Sequence, residues 1–378
     1  MQASLLDISP ILFVRGTNGA PSTIAPISLQ GRIDSIECSC AATFGFESAR
    51  IDLVCSFDEA VLWFGRLMYS LNVYGPDAET IWEGMLVGVE VTFGQEKVGV
   101  SIDEMANHVR ARYTTVLGTD GATAFVSDAT SIALYGTKDL ILSLGTSTAT
   151  GALNAATSKL AEAKNPRKQP SAEVATGELG GIQVSLTFAG WMEALKWLTT
   201  SSSSTTNTST TTQVVSLITA YAGTNPFFDL STANVIASGI SDTEFIEADT
   251  PYYDKIDTLL KQGNSNGQRL AWGMYEGRRL TVKEWAGSAP ATIAYYRSLG
   301  EHAIRNVGGG EIAPWNVRPD AMYATVELLD PAAVSTAVDG PGSFYVERTT
   351  FYASQSGVGV RLEPQASSSL DARLARIH

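Results

Sequence analysis

Apolar and polar residues alternate along much of the chain, and a spacing of two is typical of β-strands with one buried face. Within residues 49–57, the side chains of Ile51, Leu53 and Cys55 fall on one face, and residues 182–188 repeat the pattern. Further strands are predicted from residue 33 and at residues 67–74, 81–93, 109–114, 140–144, 269–275, 279–285, 322–329, 343–353 and 358–362. Glycine and proline between the early strands predict turns, so residues 1–94 are expected to form a small antiparallel barrel or sandwich.

Apolar residues three or four positions apart predict helices between these strands. In residues 146–164 the predicted buried stripe consists of Leu153, Ala156, Leu160 and Ala163. Other helices are predicted at residues 58–65, 213–221 and 289–306.

Capping patterns mark further helix starts. Asp249 ahead of Pro251 predicts a helix with an aspartate cap and proline at its first position. Ser101 followed by Glu104 is a capping-box pattern, which predicts a short helical turn. Asp128 likewise predicts the cap of a short helix.

Residues 199–212 are serine and threonine with one asparagine. The segment carries no large apolar side chain to bury, so we predict an exposed, mobile loop. Because loop length changes closure entropy only slowly, deletion of residues 201–210 is expected to leave folding intact.

The composition argues against several classes of function. The chain has 378 residues, a formal net charge of -13 and only 17% charged residues. Sequence-specific nucleic-acid binding is disfavoured, because it requires many Lys and Arg contacts to phosphate. Asp7 interrupts the N-terminal apolar run, which argues against a signal peptide. No apolar run approaches the roughly 18 residues of a membrane span, so no stable membrane insertion is expected.

The three cysteines, Cys38, Cys40 and Cys55, do not suggest a disulfide framework, because their number is odd in a long chain. We predict that they are small packing residues, with a redox or metal role as the less favoured alternative. Their redox state stays open.

Candidate catalytic residues are few. His108 is interpreted as a hydrogen-bonded structural histidine, and His302 has no marked nucleophile beside it. Residues 264–267 are interpreted as a turn rather than a calcium loop, since they carry no carboxylate. Two larger sets have a functional and a structural interpretation, and the structural one is favoured for each. The acidic run Asp242, Glu244, Glu247 and Asp249 could supply paired carboxylates or calcium ligands, but a solvated helix start is favoured. The tryptophans Trp191, Trp197, Trp272 and Trp285 could stack on sugars, but core packing is favoured.

Several segments resemble tail hub (baseplate hub) proteins of tailed bacteriophages. The resemblance is carried by residues 105–114, Met-Ala-Asn-His-Val-Arg-Ala-Arg-Tyr-Thr, and by residues 128–138, Asp-Ala-Thr-Ser-Ile-Ala-Leu-Tyr-Gly-Thr-Lys. It extends to residues 81–84, 256–270 and 344–364. The likeness touches most of the chain, but its motifs are structural.

The resemblance implies a β-rich α+β chain with two antiparallel barrels, similar to tail-tube subunits, interleaved with two smaller α/β domains. The expected division is a first barrel at 1–94, a first α/β insert at 101–170, a second barrel split between 176–198 and 320–365, the Ser/Thr loop at 199–212, a second α/β insert at 213–315 and a C-terminal tail at 366–378. Leu370, Leu374 and Ile377 give that tail an amphipathic pattern.

The function implied by the resemblance is structural and not enzymatic. A homotrimeric ring would adapt a sixfold tail tube to a threefold tip in the virion, after assembly in the host bacterial cytoplasm. Its partners would be further copies of itself, the tail tube or distal tail protein, the tape measure protein and spike or fibre proteins. DNA would pass during ejection without specific binding, and an acidic lumen would favour such passage. No catalytic, cofactor-binding or metal-binding residue is predicted.

Two alternatives remain at this stage. The first is another tail component, such as the distal tail ring, or the hub of a contractile injection system. The second is a carbohydrate-binding or carbohydrate-cleaving β protein, which would need opposed carboxylates in an aromatic-lined cleft.

Overall fold

A large antiparallel sheet organises the chain. The computed structural model describes residues 8–13, 26–93, 96–171, 182–246, 248–284, 291–296, 301–305, 317, 323–329, 343–355 and 357–364. The strands are β1 Ser9–Phe13, β2 Ile27–Ser28, β3 Ile33–Ala41, β4 Gly45–Val54, β5 Ser70–Tyr74, β6 Thr80–Phe93, β7 Glu96–Ser101, β8 His108–Thr114, β9 Asp120–Ala122, β10 Val126–Ser127, β11 Asp139–Thr146, β12 Arg167–Ser171, β13 Ile182–Ala189, β14 Ser203–Ser209, β15 Ser241–Ile246, β16 Leu270–Tyr275, β17 Arg279–Glu284, β18 Ala291–Tyr296, β19 Glu301–Arg305, β20 Tyr323–Leu329, β21 Ser343–Ser354 and β22 Gly357–Pro364. The helices are α1 Phe57–Trp63, α2 Ala129–Tyr135, α3 Ala149–Ala163, α4 Thr210–Thr224 and α5 Tyr252–Leu260, with 3-10 helices at Trp191–Lys196 and Glu276–Arg278.

Eight strands form the central part of the sheet, in the order β22-β21-β3-β4-β13-β6-β7-β12. Every neighbouring pair in this order is antiparallel. The long strand β6 also pairs with β5 over its first half, and β21 pairs with β20 over its first residues. With β5, β20 and the further strands β1, β2, β16, β17, β18 and β19, the sheet has 16 strands.

Apolar and polar residues that alternate in the sequence are alternately buried and exposed in the sheet. Ile51, Leu53, Val184, Leu186 and Phe188 are almost completely buried, and their sequence neighbours face outward. Burial of each such side chain contributes about 1.5–3 kcal/mol relative to exposure. The strand predictions in these segments are therefore confirmed.

Helix α1 crosses the apolar side of the sheet and buries Ala60 and Trp63. It begins at Phe57, one position before the helix predicted at residues 58–65. Ser56 is the N-cap, and its hydroxyl accepts a hydrogen bond from the backbone N–H of Glu59. The three-residue spacing between Ser56 and Glu59 is the geometry in which a cap satisfies an unpaired helix N–H.

A second sheet of four strands, β10-β8-β11 with β9, lies in the first predicted insert. Helix α3 packs on it through Ala152, Ala156 and Ala163, which contact buried residues of β8. The predicted stripe was partly wrong, because Leu153 is 41% exposed and Ala152 takes the buried position. Small side chains let this helix approach the sheet closely.

The capping predictions had mixed outcomes. Asp128 caps α2 through the backbone N–H of Ser131, as predicted. No helix follows Ser101, which ends β7 and accepts a hydrogen bond from the Asp103 N–H in a turn. Asp249 does not cap α5, because Pro251 is the N-cap residue and no side chain caps the helix.

The Ser/Thr segment contains a strand where a loop was predicted. Residues 203–209 form β14, which pairs with β15, and α4 begins at Thr210. Thr210 is completely buried, and its hydroxyl is 2.7 Å from the Ser238 hydroxyl. Ser201, Ser202, Ser204 and Thr206 are exposed, as predicted. The loop assignment was wrong because a paired β-strand needs no apolar face of its own.

Residues 289–306 were predicted to form a helix, and this was wrong. The described residues of this stretch form β18 and β19, which are paired antiparallel, and β18 also pairs in parallel with β20. The β-branched and aromatic residues of β18, Thr292, Ile293, Tyr295 and Tyr296, favour a strand once a neighbouring strand is available. The hairpin of β16 and β17 and the helix at 213–221 are confirmed.

The predicted division into two interleaved barrels is not confirmed. Strand β13 belongs to the predicted second barrel but lies between β4 and β6 of the first, and β21 pairs with β3. The described strands of both predicted barrels therefore lie in one large sheet of a β-rich α+β chain. The tail at residues 366–378 lies outside the described residues.

The hairpin of β16 and β17 meets the large sheet at a crossing of two backbones. Gly45 has a positive φ of 79° and pairs with Met274. A β-carbon at Gly45 would lie 2.3 Å from the Met274 carbonyl oxygen, and one at Gly273 would lie 2.1 Å from the Gly45 nitrogen. Only glycine fits both positions, because such distances exclude any side chain.

Candidate functional site

The outward face of the central sheet is a continuous polar surface, which we call the polar sheet face. Strand register places Ser35 beside Asp52, Asp52 beside Ser185, and Ser185 beside Glu90. The next row runs from Glu37 through Arg50 to Thr187 in the same way. The polar sheet face comprises Ser35, Glu37, Ser39, Ser48, Arg50, Asp52, Gln183, Ser185, Thr187, Glu90 and Thr92.

Asp52 ties three strands of this face together. Its carboxylate accepts hydrogen bonds from the Ser35 hydroxyl at 2.9 Å and from the Ser185 hydroxyl at 2.5 Å. The Arg50 guanidinium donates to the same carboxylate at 3.1 Å and to the Ser185 hydroxyl at 3.0 Å. Hydrogen bonds across two strand boundaries thus fix the part of the face around Asp52.

Ion pairs join oppositely charged residues on and beside this face. Lys97 pairs with Glu90 at 3.0 Å. Arg348 donates two hydrogen bonds of 2.7 Å to Glu47, which raises the pKa of the guanidinium. Together with Lys97, the polar sheet face carries three carboxylates, Glu37, Asp52 and Glu90, against two cations, so a small acidic excess remains. Both cations, Arg50 and Lys97, are paired, so they form no row of free cations for a polyanion.

A cleft of about 1040 Å³ adjoins one end of the polar sheet face. Its floor includes Ser39 and Thr187, and its opposite wall comes from residues 102–106 and 138–140. Lys138 lies in this wall with its ammonium 2.6 Å from the Ile102 carbonyl oxygen and 5.1 Å from the Trp197 ring centre. Burial lowers the pKa of Lys138 to about 8. The side chain joins the four-stranded sheet to the large one.

A cluster of charged residues fixes the four-stranded sheet against the segment that precedes α5. Arg110 and Arg112 on β8 both form ion pairs with Asp249. Asp249 is nearly buried and has a positive φ of 68°. An aspartate tolerates this backbone conformation better than most residues. Asp249 is thus an anchoring residue, and its role as a helix cap or calcium ligand is not supported.

His108 lies beside this cluster and is structural, as predicted. Its Nδ1 is 2.6 Å from the Asp139 carboxylate, and its ring stacks on Phe125 at 3.9 Å. The same carboxylate accepts hydrogen bonds from the Thr199 backbone N–H and hydroxyl, each at 2.8 Å. His108 thereby helps to fix the start of β11, and no nucleophile accompanies it within hydrogen-bond distance among the described residues.

The remaining candidates have structural environments. Burial raises the pKa of the Cys38 thiol, and Cys40 is also buried, so both are packing residues. Burial also raises the pKa of Cys55, which is half-buried. Among the described residues, no group of three or more His, Cys, Asp or Glu side chains could hold a metal ion. No helix among those residues is long and apolar enough to cross a membrane.

The tryptophans proposed for sugar stacking lie in the core. Trp191, Trp197 and Trp272 are buried, and Trp285 lies outside the described residues. Residues 264–267 form the predicted turn, held by the Asn264 side chain. The side chain of His302 lies outside the described part of the chain. The three described tryptophans are therefore packing residues and do not support the carbohydrate hypothesis.

Sequence reasoning missed one buried carboxylate. Glu83 lies on β6, is 4% exposed and accepts a hydrogen bond from the backbone N–H of Arg278. The signal that could have found it is a charged residue inside the apolar run of residues 81–89, since a buried charge requires a partner.

Comparison with known proteins gives similar folds but no sequence relative. No protein-family model matches the chain, and no curated protein matches it. Among solved structures, the chain resembles a tail protein from Neisseria meningitidis at 7% identity, with a TM-score of 0.42, covering 95% of this chain and 96% of the other. It resembles the 43 kDa tail protein of prophage MuSo2 from Shewanella oneidensis at 8% identity, with a TM-score of 0.40 and the same coverage. A component of the Escherichia coli type VI secretion system is similar at 7% identity, with a TM-score of 0.30, covering 89% of this chain and 74% of the other.

Proposed function

We propose that this chain is a structural protein of a phage-tail-type assembly, in which the polar sheet face lines a central passage. The observation that carries the proposal is the polar sheet face itself. It is a hydrogen-bonded, slightly acidic wall that crosses several neighbouring strands and carries no reactive constellation among the described residues. Such a wall suits a conduit for a polyanion, because it presents no run of unpaired cations to phosphate.

The ends of the central sheet support assembly into a ring. Within the described residues β22 pairs only with β21, and β12 pairs only with β7, so each end strand has an open edge. Because the eight strands alternate in direction, the two end strands run oppositely. A head-to-tail ring of copies would therefore join β22 to β12 of the next copy as an antiparallel pair, without changing the strand alternation.

The number of strands in a ring of copies favours an open centre. Three copies of an eight-stranded sheet would give 24 strands around the ring. Barrels of about 16 to 18 strands already leave an aqueous channel. The threefold number itself comes from the sequence resemblance to tail hub proteins, and the ring would serve as the hub that joins the tail tube to the tip.

The chain connections also support an internal duplication of the kind that a hub needs. Strands β6 and β21 are both long, and each pairs first with the preceding strand and then with a hairpin partner. In the hub proposal the two units would let three chains match six tube subunits. The partners would then be the tail tube or distal tail protein, the tape measure protein and spike or fibre proteins at the virion tip.

Mass and image measurements on the purified protein test this proposal. We expect a trimer by light scattering and a threefold ring with a central hole by electron microscopy. A hexamer would favour a distal tail ring instead. A protein that stays monomeric at high concentration, or a particle with no hole, would contradict the conduit proposal.

A further inference from the structure

One flank of helix α1 is an exposed apolar surface. Phe57 and Val61 lie one turn apart on the helix and are 57% and 47% exposed, whereas Ala60 and Trp63 are fully buried. Apolar side chains that adjoin one another on a surface favour contact with a further element, whereas scattered single ones need no explanation. We call Phe57 and Val61 the α1 flank.

Contacts on the two sides of the helix show which way the α1 flank faces. Glu59, on the opposite side, pairs with Arg32, which precedes β3. The ring centre of Phe57 lies 5.4 Å from that of Phe93, the last residue of β6. Strands β3 and β6 lie on opposite sides of β4 and β13 in the central sheet. The α1 flank therefore faces the end of the sheet formed by β7 and β12.

Strand β12 at that end comes within a side chain's length of α1. Lys168 on β12 pairs with Val100 on β7, and Val100 is buried in the core. Lys168 therefore lies on the apolar side of the sheet, because paired residues point to the same face. Its ammonium is 5.4 Å from the ring centre of Phe64, the C-cap residue of α1. The α1 flank thus adjoins the open edge through which copies would join.

A single cross-strand row connects this edge with the other end of the sheet. Strand register links one residue from each strand, in the order Val358, Ala353, Ile36, Ile51, Leu186, Val89, Val100 and Lys168. All residues between the two ends are buried, so the row stays on the apolar side throughout. A ring that joins β12 to β22 of the next copy would continue this apolar side from copy to copy.

Strand β22 carries apolar side chains that match the α1 flank. Val358 and Val360 pair with Ala353 and Phe351, which are buried in the core. Both valines thus point to the apolar side of the sheet, and both are only partly buried. Because β22 is an end strand among the described residues, the valines have no neighbouring strand on one side.

We propose that the α1 flank of one copy packs on Val358 and Val360 of the next copy, so that α1 spans the junction between their sheets. The inference rests on the proposed function, because β22 comes beside β12 only when copies join through these two strands. The occupant is a second copy, since the flank adjoins the joining edge and the joined strand supplies apolar residues on the same side. Such a contact is heterologous and therefore repeats at every junction of a closed ring.

Site-specific photo-crosslinking in the full-length protein tests this contact. A benzoylphenylalanine in place of Val61 is expected to crosslink to peptides containing residues 358–362, identified by mass spectrometry. The matched control carries the same group in place of Leu62, which is also exposed but points about 100° away around the helix. The control is expected to label β22 at least about fivefold less, and equal labelling from the two positions would contradict the orientation of the flank.

Mixed isotopes show which copy is labelled. With equal amounts of ¹⁴N and ¹⁵N protein assembled together, we expect crosslinks from Val61 to β22 to join peptides of different isotopes. Labelling within one chain, labelling of another segment or no labelling would overturn the contact. Electron microscopy of the same sample separates the two proposals, because a threefold ring without these crosslinks would leave the proposed function standing.

A charge introduced on the flank tests its part in assembly. Val61→Asp is expected to raise the protein concentration needed for half-assembly about tenfold, because the carboxylate would be buried without a partner. Leu62→Asp, the control on the same helix, is expected to change it less than about threefold. Adding Val360→Lys to Val61→Asp is expected to restore assembly by supplying a counter-charge across the junction. Equal effects of the two aspartates, or no rescue by the lysine, would contradict the contact.

Discussion

The carboxylate of Glu83 accepts a hydrogen bond from the backbone N–H of Arg278 at 2.5 Å. This contact joins the middle of β6 to the turn between β16 and β17. Arg278 has a positive φ of 60°, and its guanidinium donates to the Phe227 carbonyl oxygen at 3.0 Å. A single buried acid therefore fixes a strained turn on the sheet.

The acid gives folding stability a defined pH dependence. Burial raises the pKa of Glu83 from 4.5 to about 7, although the backbone N–H groups of Gly277 and Arg278 act in the opposite direction. The folded protein thus holds a proton on Glu83 that the unfolded chain releases, so the contribution of this group to stability is fully present below pH 4.5 and is lost as pH rises through about 7. The size of this effect is on the order of 3 kcal/mol, at about 1.4 kcal/mol per pKa unit.

Replacement of the Glu83 carboxylate by an amide tests whether this group causes the fall in stability as pH rises. We expect Glu83→Gln to remove most of the fall in the free energy of unfolding between pH 5 and pH 8, measured by urea denaturation. The control Glu90→Gln, on the same strand but exposed, is expected to keep the wild-type profile. Parallel curves for the wild type and Glu83→Gln would show that another group causes the pH dependence.

Loss of the Asp249 carboxylate is expected to loosen the four-stranded sheet. Asp249→Asn keeps a side chain that tolerates positive φ, but it leaves Arg110 and Arg112 without their counter-charge. We expect a loss of about 2–3 kcal/mol in the free energy of unfolding, because removal of one partner leaves partly buried charges uncompensated. The exposed Asp254→Asn on α5 serves as the control. A loss no larger than that of the control would mean that the cluster is not an anchor.

The hydroxyl of Thr210 is expected to contribute to stability. Thr210→Val keeps the shape of the side chain but leaves the Ser238 hydroxyl without this contact, and we expect a cost of about 1–2 kcal/mol. Thr212→Val, at an exposed position of the same helix, is expected to cost less than about 0.5 kcal/mol. Thermal denaturation of the two variants distinguishes them, and equal melting temperatures would contradict the buried role. Deletion of residues 201–210, expected from the sequence to be harmless, should now unfold β14 and the start of α4.

Lysines introduced on the polar sheet face are expected to make the protein bind DNA. Lysine at Thr92, Gln183 and Thr187 would place three cations per chain on the proposed passage wall. In an assembled ring several chains would act together, so the dependence of DNA affinity on salt should be much steeper than the slope of about −3 for three phosphate contacts. The control has lysine at Thr212, Ser216 and Thr219 on the exposed side of α4, with the same net charge. Equal salt slopes for the two proteins would argue against a shared wall.

The sequence predicted the strands of the central sheet well, because one-sided burial imposes a period of two on residues such as Ile51 and Leu186. It did not predict the order of the strands, since the position of β13 between β4 and β6 depends on pairing between distant segments. The same limit explains the errors at residues 203–209 and 291–296. In both, a neighbouring strand supplies the hydrogen bonds that local pattern cannot reveal.

The candidate site was less predictable than the fold. The polar sheet face consists of the same outward residues that make the alternation visible, but nothing local indicates that Asp52 binds Ser35 and Ser185 together. Asp249 had two local interpretations, as a cap or an acidic ligand, and its arginine partners lie more than a hundred residues earlier in the chain. Side chains that join distant segments are determined by the tertiary fold.

The backbone crossing at Gly45 and Gly273 limits how this protein can vary. Because backbone atoms make this contact, most substitutions at surrounding positions leave its geometry unchanged. Any replacement of Gly45 or Gly273 removes it. Saturation mutagenesis should therefore find that neither glycine accepts any other residue, whereas the buried apolar neighbours in β4 and β16 accept side chains of similar size. The two glycines should therefore identify the junction of hairpin and sheet even where the surrounding sequence has changed.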